Sequence, residues 1–238
     1  MTPTAPSLNI PHETRERLLD VAGEIFAEHG RAAARVRDIC DRAGTNIAAI
    51  NYHFGDKDSL YLECLRHARR YLLSKHPIDA ARPGNGTPEQ RLRAYVQTFL
   101  RRFLDAEGPQ WHGKLFSREM LDPTGALDEA VEEAVRPQAD LLTSIVDELA
   151  AAAGAKLDRR VSRLCGESIT AQCLFYRDAR SILLRLTPGR ELGAAAIECL
   201  TEHITRFSLA AIRDLAQRPS AQPAAEGNAA GTTGTEPT

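Results

Sequence analysis

The stretch VRDICDRAGTNIAAINYHF, residues 36–54, decides the fold of this chain because it contains two short helical patterns separated by a turn. In the first pattern, apolar residues recur at spacings of three and four, which is typical of one helix face. These residues are Val36, Ile39, Cys40 and Ala43. Gly44 follows, where a left-handed backbone readily ends a helix, and Asn46 can cap the N terminus of the next one. The stretch therefore predicts a helix-turn-helix unit.

The second helix of this unit carries an unusual share of polar side chains. Ile47, Ile50 and Phe54 fall at i, i+3 and i+7, so we expect them to face the helical bundle. The other side chains then point outward or lie at the rim: Asn46, Ala48, Ala49, Asn51, Tyr52 and His53. Small alanines allow close approach to base edges, asparagine can bind adenine through two hydrogen bonds, and tyrosine and histidine can bind phosphates. The alternative is a solvated polar face without a partner.

The rest of the chain has helical periodicity almost throughout, with no strand pattern longer than a few residues and no internal repeat. The sequence predicts an all-α protein of about nine helices. The predicted helices cover residues 14–29, 36–43, 47–53, 57–72, 89–104, 111–121, 125–152, 158–177 and 191–216. Pro137 is expected to kink or divide the seventh helix near Arg136, and an extension of the eighth toward residue 186 is left open.

Composition suggests how these helices group into domains. The segment HPIDAARPGNGTP, residues 76–88, has three prolines and two glycines and predicts a loop at a domain junction. We expect a flexible arm over residues 1–12, a DNA-binding domain over residues 13–75 that includes the fourth helix, and a C-terminal domain over residues 87–216. The tail, residues 217–238, has almost no large apolar residue and is expected to be disordered.

Overall composition is that of a globular protein, with 43% hydrophobic and 26% charged residues and a formal net charge of -2. A nucleic-acid partner therefore requires a local basic patch. Residues 31–57 supply one that is mildly basic: Arg31, Arg35, Arg37, Arg42 and Lys57 against Asp38, Asp41 and Asp56. Without a run of 18 apolar residues or a signal-peptide pattern, we expect a cytoplasmic protein and no membrane partner.

The five cysteines are scattered, without CxxC spacing: Cys40, Cys64, Cys165, Cys173 and Cys199. They are interpreted as free, mostly buried thiols in a reducing compartment, with a redox sensor as the minor alternative. Motifs of hydrolases, metalloproteases and nucleotide-binding enzymes are absent. Glu63 and His67 lie four residues apart on one helix, but no third metal ligand accompanies them. We expect no enzyme activity, no cofactor and no metal.

Two longer segments, ETRERLLDVAGEIFAEHG and VRDICDRAGTNIAAINYHFGDKDSLY, resemble the N-terminal domain of TetR-family transcriptional regulators over residues 13–65. The run YHFGDKDSLY resembles the signature that ends the recognition helix in that family. The version NIAAINYHF is similar to the CecR-like subgroup, and REMLDPTGALDE and QCLFYRDARSILLRL resemble the C-terminal domain of that subgroup.

The resemblance implies a ligand-responsive regulator, most commonly a repressor that a small-molecule effector releases from a palindromic operator. The DNA-binding residues it implies are Arg35, Arg37, Thr45, Asn46, Ala48, Ala49, Asn51, Tyr52, His53 and Lys57. Two of them depart from the family pattern. Arg35 stands where serine or threonine usually caps the second helix, and Thr45 stands where valine is common. A TetR-like fold that has lost DNA binding and acts as an adaptor is the remaining alternative.

TetR-like proteins pair their last two helices with those of a second copy, so the resemblance also implies a homodimer. The predicted interface residues are Ile169, Cys173, Tyr176, Leu200, His203, Ile204, Phe207 and Ala211. The alternative for such apolar stripes is packing within the chain. The middle helices are expected to enclose the effector, because small-molecule sites combine apolar walls with a few polar groups. The predicted pocket residues are Phe99, Phe103, Trp111, Leu115, Phe116, Arg118, Glu119 and Met120.

Overall fold

The computed structural model describes residues 10–84, 86–104, 108–189 and 191–218, and these fold into α-helices without a strand. The helices are α1 (Ile10–Ala33), α2 (Val36–Ala43), α3 (Ile47–Phe54), α4 (Lys57–Lys75), α5 (Pro88–Leu104), α6 (Trp111–Leu121), α7 (Gly125–Ala130), α8 (Arg136–Ala152), α9 (Arg159–Asp178), α10 (Arg180–Leu186) and α11 (Ala194–Gln217). The all-α prediction is confirmed for this part of the chain. Most of the predicted arm, residues 1–9, and of the predicted tail, residues 219–238, lies outside the described residues.

The described part has eleven α-helices, two more than predicted, because the seventh predicted helix is divided and a short helix follows the eighth. The predicted helix over residues 125–152 is interrupted by a π-helical turn, Val131–Val135, and Pro137 lies in the first turn of α8. The extension toward residue 186 is a separate helix, α10. Within α1, Gly30 adopts a φ of 79° and interrupts the helix where the sequence predicts its end. None of the described helices is long and apolar enough to cross a membrane.

A first core lies beneath α2 and α3, where α1 packs against α2, α4 and α6. Ile50 and Phe54 are buried in it, as predicted, and anchor α3. The prediction that Ile47 faces the bundle is wrong, because 53% of this residue is exposed. The first core therefore covers Ile50 and Phe54 but leaves Ile47 in solvent, and Ala49 packs against this core in its place.

The helix α6 joins this first core although it follows the predicted domain junction. Trp111 and Leu115 are buried among residues of α1 and α4. Gly23 makes room for the indole ring, since a Cβ atom there would lie 2.3 Å from the Trp111 ring. A second core is formed by α5, α8, α9 and α11. The packing thus assigns α6 to the N-terminal helices and the other long helices to a separate C-terminal bundle.

Candidate nucleic-acid interface and ligand cleft

The turn between α2 and α3 has the geometry that its sequence predicts. Gly44 is left-handed, with φ 62° and ψ 41°, and the amide of Thr45 donates to the Cys40 carbonyl over 3.0 Å. The Asn46 Oδ1 accepts a hydrogen bond from the Ala49 amide at 3.1 Å and caps α3. Arg35 makes no side-chain cap on α2, as expected from its departure from the family pattern.

The predicted DNA-binding residues of α2 and α3 lie mostly on the outside of the domain. Tyr52 is 80% exposed and its ring packs edge-on against the His53 ring, with the centroids 4.9 Å apart. The other predicted residues are exposed or half-buried: Arg35, Arg37, Asn46, Ala48 and Asn51 are exposed, and Thr45, Ala49 and His53 are half-buried. Apart from Ala49, which packs on the first core, these side chains are available to a partner.

Lys57 differs from the other predicted DNA-binding residues because its side chain is already engaged. Its Nζ donates to the carbonyl oxygens of Arg31 at 3.0 Å and Ala34 at 3.3 Å. Arg31 in turn donates to the Asp58 carboxylate at 2.9 Å. These bonds connect the N terminus of α4 to the end of α1 and fix the two elements that support α2 and α3.

A cleft of about 800 Å³ opens on the other side of the first core. It is bounded by the C-terminal ends of α4, α5 and α9, by α6, by the segment before α6 and by the start of α10. The lining residues that carry charge are Lys75, Arg101, Arg102, Lys114, Arg118, Arg177, Asp178 and Arg180, and the larger apolar ones are Tyr71, Leu72, Phe103, Met120 and Leu121.

Three of the predicted pocket residues line this cleft: Phe103, Arg118 and Met120. Phe99 lies behind Phe103, with ring centroids 5.2 Å apart, and the half-buried Phe116 is not among the lining residues.

The structure places Trp111, Leu115 and Glu119 elsewhere, because the first core and its caps occupy those side chains. Trp111 and Leu115 fill that core. The buried Glu119 carboxylate accepts hydrogen bonds from the Tyr61 hydroxyl at 2.8 Å and from the Thr124 amide at 2.6 Å. Burial, together with the adjacent Glu119 carboxylate, raises the pKa of Tyr61 above its usual range. Glu119 therefore holds α4 and α7 together instead of facing the cleft.

Sequence reasoning missed most of the cationic lining of the cleft, and a buried histidine lies next to that lining. Arg101, Arg102, Arg177 and Arg180 come from two segments far apart in sequence, so no local pattern groups them. His112 lies between Trp111 and Tyr71, and its ring centroid is 4.4 Å from that of Tyr71. Burial lowers the pKa of His112 to about 4, and His67 contributes in the same direction.

The predicted dimer residues fall into two groups. Ile169, Cys173, Leu200 and Ile204 are buried in the second core of the same chain, and Tyr176 packs against it. His203, Phe207 and Ala211 are exposed on α11. The apolar stripes of α9 and α11 that the sequence shows therefore face inward for the most part, and this corrects the predicted interface. The outward side of α9 carries Leu164 and Phe175.

The burial of four of the thiols argues against the redox alternative for those four cysteines. Cys40, Cys64, Cys165 and Cys173 are buried, and Cys199 is exposed. Burial raises the pKa of Cys173 to about 12, which leaves almost no reactive thiolate. Within residues 10–218, apart from the segments the structure does not describe, no cluster of three or more histidine, cysteine or acidic side chains could hold a metal ion.

Comparison with known proteins agrees with both parts of the chain. Residues 18–64 match the family described as bacterial regulatory proteins, tetR family. Residues 88–212, more than half of the chain, match the C-terminal domain of the HTH-type transcriptional dual regulator CecR. The CecR protein of Shigella flexneri is 26% identical over 223 residues, which are 90% of this chain and 98% of CecR. The transcriptional repressor AcnR of Corynebacterium glutamicum is 30% identical over 133 residues, or 51% of this chain and 63% of AcnR.

Solved structures share the fold. A regulatory protein of the tetR family from Rhodococcus RHA1 superposes with a TM-score of 0.63 at 16% identity, covering 84% of this chain and 97% of that one. A TetR-family regulator from Streptomyces coelicolor gives a TM-score of 0.60 at 20% identity, covering 87% of this chain and 97% of the other. The chain belongs to the TetR family of bacterial regulatory proteins and, within it, to the group that has the C-terminal domain of CecR.

Proposed function

We propose that this protein is a transcriptional regulator that binds a palindromic operator as a homodimer and leaves it when a small molecule occupies the cleft. The observation that carries the proposal is the polar outer face of α3. That face is exposed, capped by Asn46 at one end and anchored from behind by Ile50 and Phe54. A short helix presented in this way fits the major groove of DNA.

The side chains of this face supply both kinds of contact that operator binding needs. Asn51 is exposed and can bind the edge of adenine, while Ala48 allows the helix close to the bases. Tyr52, Arg35 and Arg37 would bind phosphates and fix the orientation of the helix. Lys57 gives two hydrogen bonds to carbonyl oxygens, which leaves one ammonium proton for a phosphate. We therefore assign Lys57 a positioning role together with a phosphate contact.

Dimerisation is supported by apolar side chains that the chain leaves uncovered on its C-terminal bundle. Phe207 on α11 is 60% exposed, and Leu164 and Phe175 on α9 are about half exposed. The ring of His203 lies against Phe207, with centroids 6.2 Å apart. Exposed apolar side chains on adjacent helices suit a self-complementary interface. A dimer places two copies of α3 at half-sites spaced by about 34–36 Å, one turn of DNA.

Release by a ligand is supported by the direct connection between the cleft and α1. Arg118 lines the cleft and donates to the carbonyl oxygens of Ala27 at 2.7 Å and Glu28 at 2.6 Å, just before the break at Gly30. A ligand that attracts this guanidinium group would weaken its hold on α1. Binding then favours a state in which the two copies of α3 are spaced differently, and linkage lowers DNA affinity.

A binding role fits the cleft better than catalysis. Among its described lining residues Asp178 is the one carboxylate, and it is hydrogen-bonded to Arg177 at 2.7 Å. A general base that is paired in this way is poorly placed to accept a proton from a substrate. The names of the relatives, a dual regulator and a repressor, support regulation of transcription and, for this chain, repression.

The test is binding of the purified full chain to DNA from upstream of its own gene, measured by gel shift and fluorescence anisotropy. We expect two protomers per operator. The double variant Asn51→Ala/Tyr52→Ala should bind about 100-fold more weakly, because each half-site loses base and phosphate contacts. Lys156→Ala is the matched control, since this exposed cation lies between α8 and α9. A double variant that folds and binds the operator as tightly as the wild type would contradict the assignment of α3 as the DNA-binding helix.

The dimer is tested separately by sedimentation velocity. Phe207→Glu places a charge on the exposed apolar face and should shift the protein toward monomer and weaken operator binding. Val135→Glu is the control, because Val135 is exposed on the π-helical turn. A Phe207→Glu variant that sediments as a dimer at the wild-type concentration would place the interface elsewhere.

A further inference from the structure

The lining of the cleft is strongly cationic for a protein with a net charge of -2. Seven of its described lining residues are basic: Lys75, Arg101, Arg102, Lys114, Arg118, Arg177 and Arg180. Asp178 is the single acidic residue among them. Two further acidic residues, Asp105 and Glu107, lie between α5 and α6 in the sequence, in a segment outside the described residues. Basic side chains gathered in a partly enclosed space attract anions more strongly than the same charges do on an open surface.

Arg102 is the first of two arginines whose charge is buried at this site. Only 8% of the residue is exposed. Its Nε donates to the carbonyl oxygen of His76 at 2.9 Å, and its Nη1 donates to the side-chain oxygen of Gln138. Both partners are neutral, and burial lowers the pKa of Arg102, as expected for a cation whose hydrogen-bond partners in the described residues carry no charge. A guanidinium group held by neutral acceptors stabilises an anion placed beside it.

Arg177 provides a hydrogen-bond donor that lacks an acceptor. Its side chain is 8% exposed, and Nε and Nη2 donate to the Asp178 carboxylate at 2.7 and 3.1 Å. The guanidinium group lies over the Phe103 ring, 4.8 Å from its centroid. The remaining nitrogen, Nη1, is buried without a hydrogen-bond partner in the described structure. Unsatisfied buried donors are uncommon in folded proteins and often mark the place of a ligand or an ion.

The same cleft has an apolar side. Its larger apolar lining residues are Tyr71 and Leu72 from α4, Phe103 from α5, and Met120 and Leu121 from α6. A volume of about 800 Å³ exceeds what an inorganic ion needs and falls within the range of small-molecule sites. A ligand that satisfies both sides carries an acidic group and an apolar body.

We propose that the cleft binds an organic anion, a carboxylate joined to an aromatic or aliphatic body. Arg177 and Arg102 would bind the acidic group, and Phe103 and Tyr71 would pack against the apolar body. The inference rests on the proposed function in taking this cleft as the effector site. It goes further by naming the chemical class of the effector, and it explains the release step. The acidic group would compete with the carbonyl oxygens of Ala27 and Glu28 for Arg118.

The experiment is isothermal titration of the full chain, without DNA, using pairs of acids and their neutral amides. The probes are benzoate, 2-naphthoate and decanoate, each compared with its carboxamide, which has nearly the same shape. At least one acid should bind, and its amide should bind about tenfold more weakly or worse, because a charge-assisted hydrogen bond is lost. Binding by an amide as tight as by its acid, or binding by none of the three acids, would overturn the proposal.

Variants locate the bound acid. Arg177→Gln should weaken binding of the acid by about tenfold or more, while Arg160→Gln, at the exposed start of α9, should leave it unchanged. Should Arg177→Gln fail to fold, the exposed pair Arg101→Gln/Arg180→Gln tests the same prediction. Unchanged affinity in the folded variant would contradict the assignment of the cleft.

A final arm separates this inference from the proposed function. The acid that binds is added to the complex of the wild-type protein with its operator, and DNA release is followed by anisotropy. Release supports both proposals. Binding of the acid without release keeps the inference about the cleft and contradicts the release step of the proposed function. Operator binding together with failure of all three acids supports the regulator function and overturns the anion site.

A competition experiment tests whether the cleft binds nucleic acid. A duplex without an operator, titrated against the bound acid, must not displace the acid from the cleft. Displacement would identify a nucleic-acid groove instead.

Discussion

The outer face of α3 and the cleft both present polar and basic side chains, yet the chain builds them in different ways. The face of α3 belongs to one eight-residue helix, and its side chains, such as Asn51 and Tyr52, stand in solvent. The cleft is lined by residues of α1, α4, α5, α6, α9 and α10 and of the segment before α6, and two of its arginines, Arg102 and Arg177, are largely buried. Solvated side chains can adapt to the groove of DNA, whereas buried ones are fixed before the ligand arrives.

This difference makes the two surfaces sensitive to different changes. The face of α3 depends on the few residues that anchor one helix, while the cleft depends on how α6 packs against α1 and α4. Arg118 and Trp111 connect the two through α1, because both lie on α6 and contact α1, which packs against α2. The predictions below separate the anchor of α3 from the packing of α6, starting with the largest expected effect.

The anchor of α3 is tested by two isoleucines of the same helix. Ile50→Ala removes a side chain that is 1% exposed, and we expect a loss of about 2–5 kcal/mol in the free energy of unfolding. Ile47→Ala changes a mostly exposed residue and should alter stability by about 0.5 kcal/mol or less. Urea unfolding followed by circular dichroism measures both. Equal losses for the two variants would restore the inward position that periodicity predicts for Ile47.

The packing of α6 on α1 is tested at Gly23. A methyl group at this position would lie 2.3–2.5 Å from three ring atoms of Trp111, so Gly23→Ala must displace the indole ring. We expect a loss of about 1–3 kcal/mol, as for other overpacked cores. Gly125→Ala is the control, because a Cβ there meets no atom within 4 Å. Since α6 also lines the cleft, Gly23→Ala should weaken binding of the acid, while Ile50→Ala should not.

The buried histidine behind the cleft predicts a dependence of stability on pH. The pKa of His112 is lowered from 6.5 to about 4 in the folded state, so the unfolded chain binds the proton more tightly. The full stability is present above pH 6.5 and is lost as the pH falls from 6.5 toward 4, by at most about 1.4 kcal/mol per pH unit.

Urea unfolding at pH 7 and pH 5 measures this loss. His112→Phe keeps an aromatic ring beside Tyr71 and Trp111, removes the titration and should lose less stability over this range. His29→Gln changes an exposed histidine and should behave like the wild type. The same pH dependence in His112→Phe as in the wild type would show that another group is responsible.

The sequence predicts those features of the two regions that are decided by a few neighbouring residues. Gly44, Asn46 and Asp56 end or cap their helices as predicted, because a turn or cap is decided within a few residues. The sequence also marks Trp111 as an apolar residue of the sixth helix and a pocket candidate, but it does not predict that Trp111 packs against Gly23. This packing depends on how closely two helices can approach each other, and the sequence pattern of one helix does not encode that distance.

The same reason explains the dimer residues and the cleft. The apolar stripe of α9 is visible in the sequence, and Ile169 and Cys173 belong to its more strongly apolar side, which the chain covers with its own second core. The remaining apolar side chains on the outside, Leu164 and Phe175, are interrupted by polar residues and give a weaker pattern. Arg102 and Arg177 line the same cleft only after α5 and α9 have packed, so no local sequence pattern groups them.

The smallest effect is expected at the ion pairs between α4 and α7. Arg66 donates to both oxygens of the Glu129 carboxylate at 2.6–3.0 Å, and Arg69 donates to one at 3.1 Å. These hydrogen bonds, with Arg66 as the larger cause, lower the pKa of Glu129 to about 2. The carboxylate therefore contributes stability above pH 4.5, and this contribution is lost as the pH falls from 4.5 toward 2.

Glu129→Gln should cost about 1 kcal/mol or less at pH 7, because the site is partly solvated, and high salt should reduce the difference from wild type. Glu132→Gln removes an exposed pair with Arg136, one helical turn away in the same segment, and should have almost no effect. Equal losses in the two variants would mean that the bonds to α4 add nothing beyond an ordinary surface pair. If instead Glu129→Gln alone also changes how much acid is needed to release the operator, the position of α4 against α7 is part of the link between the cleft and α3.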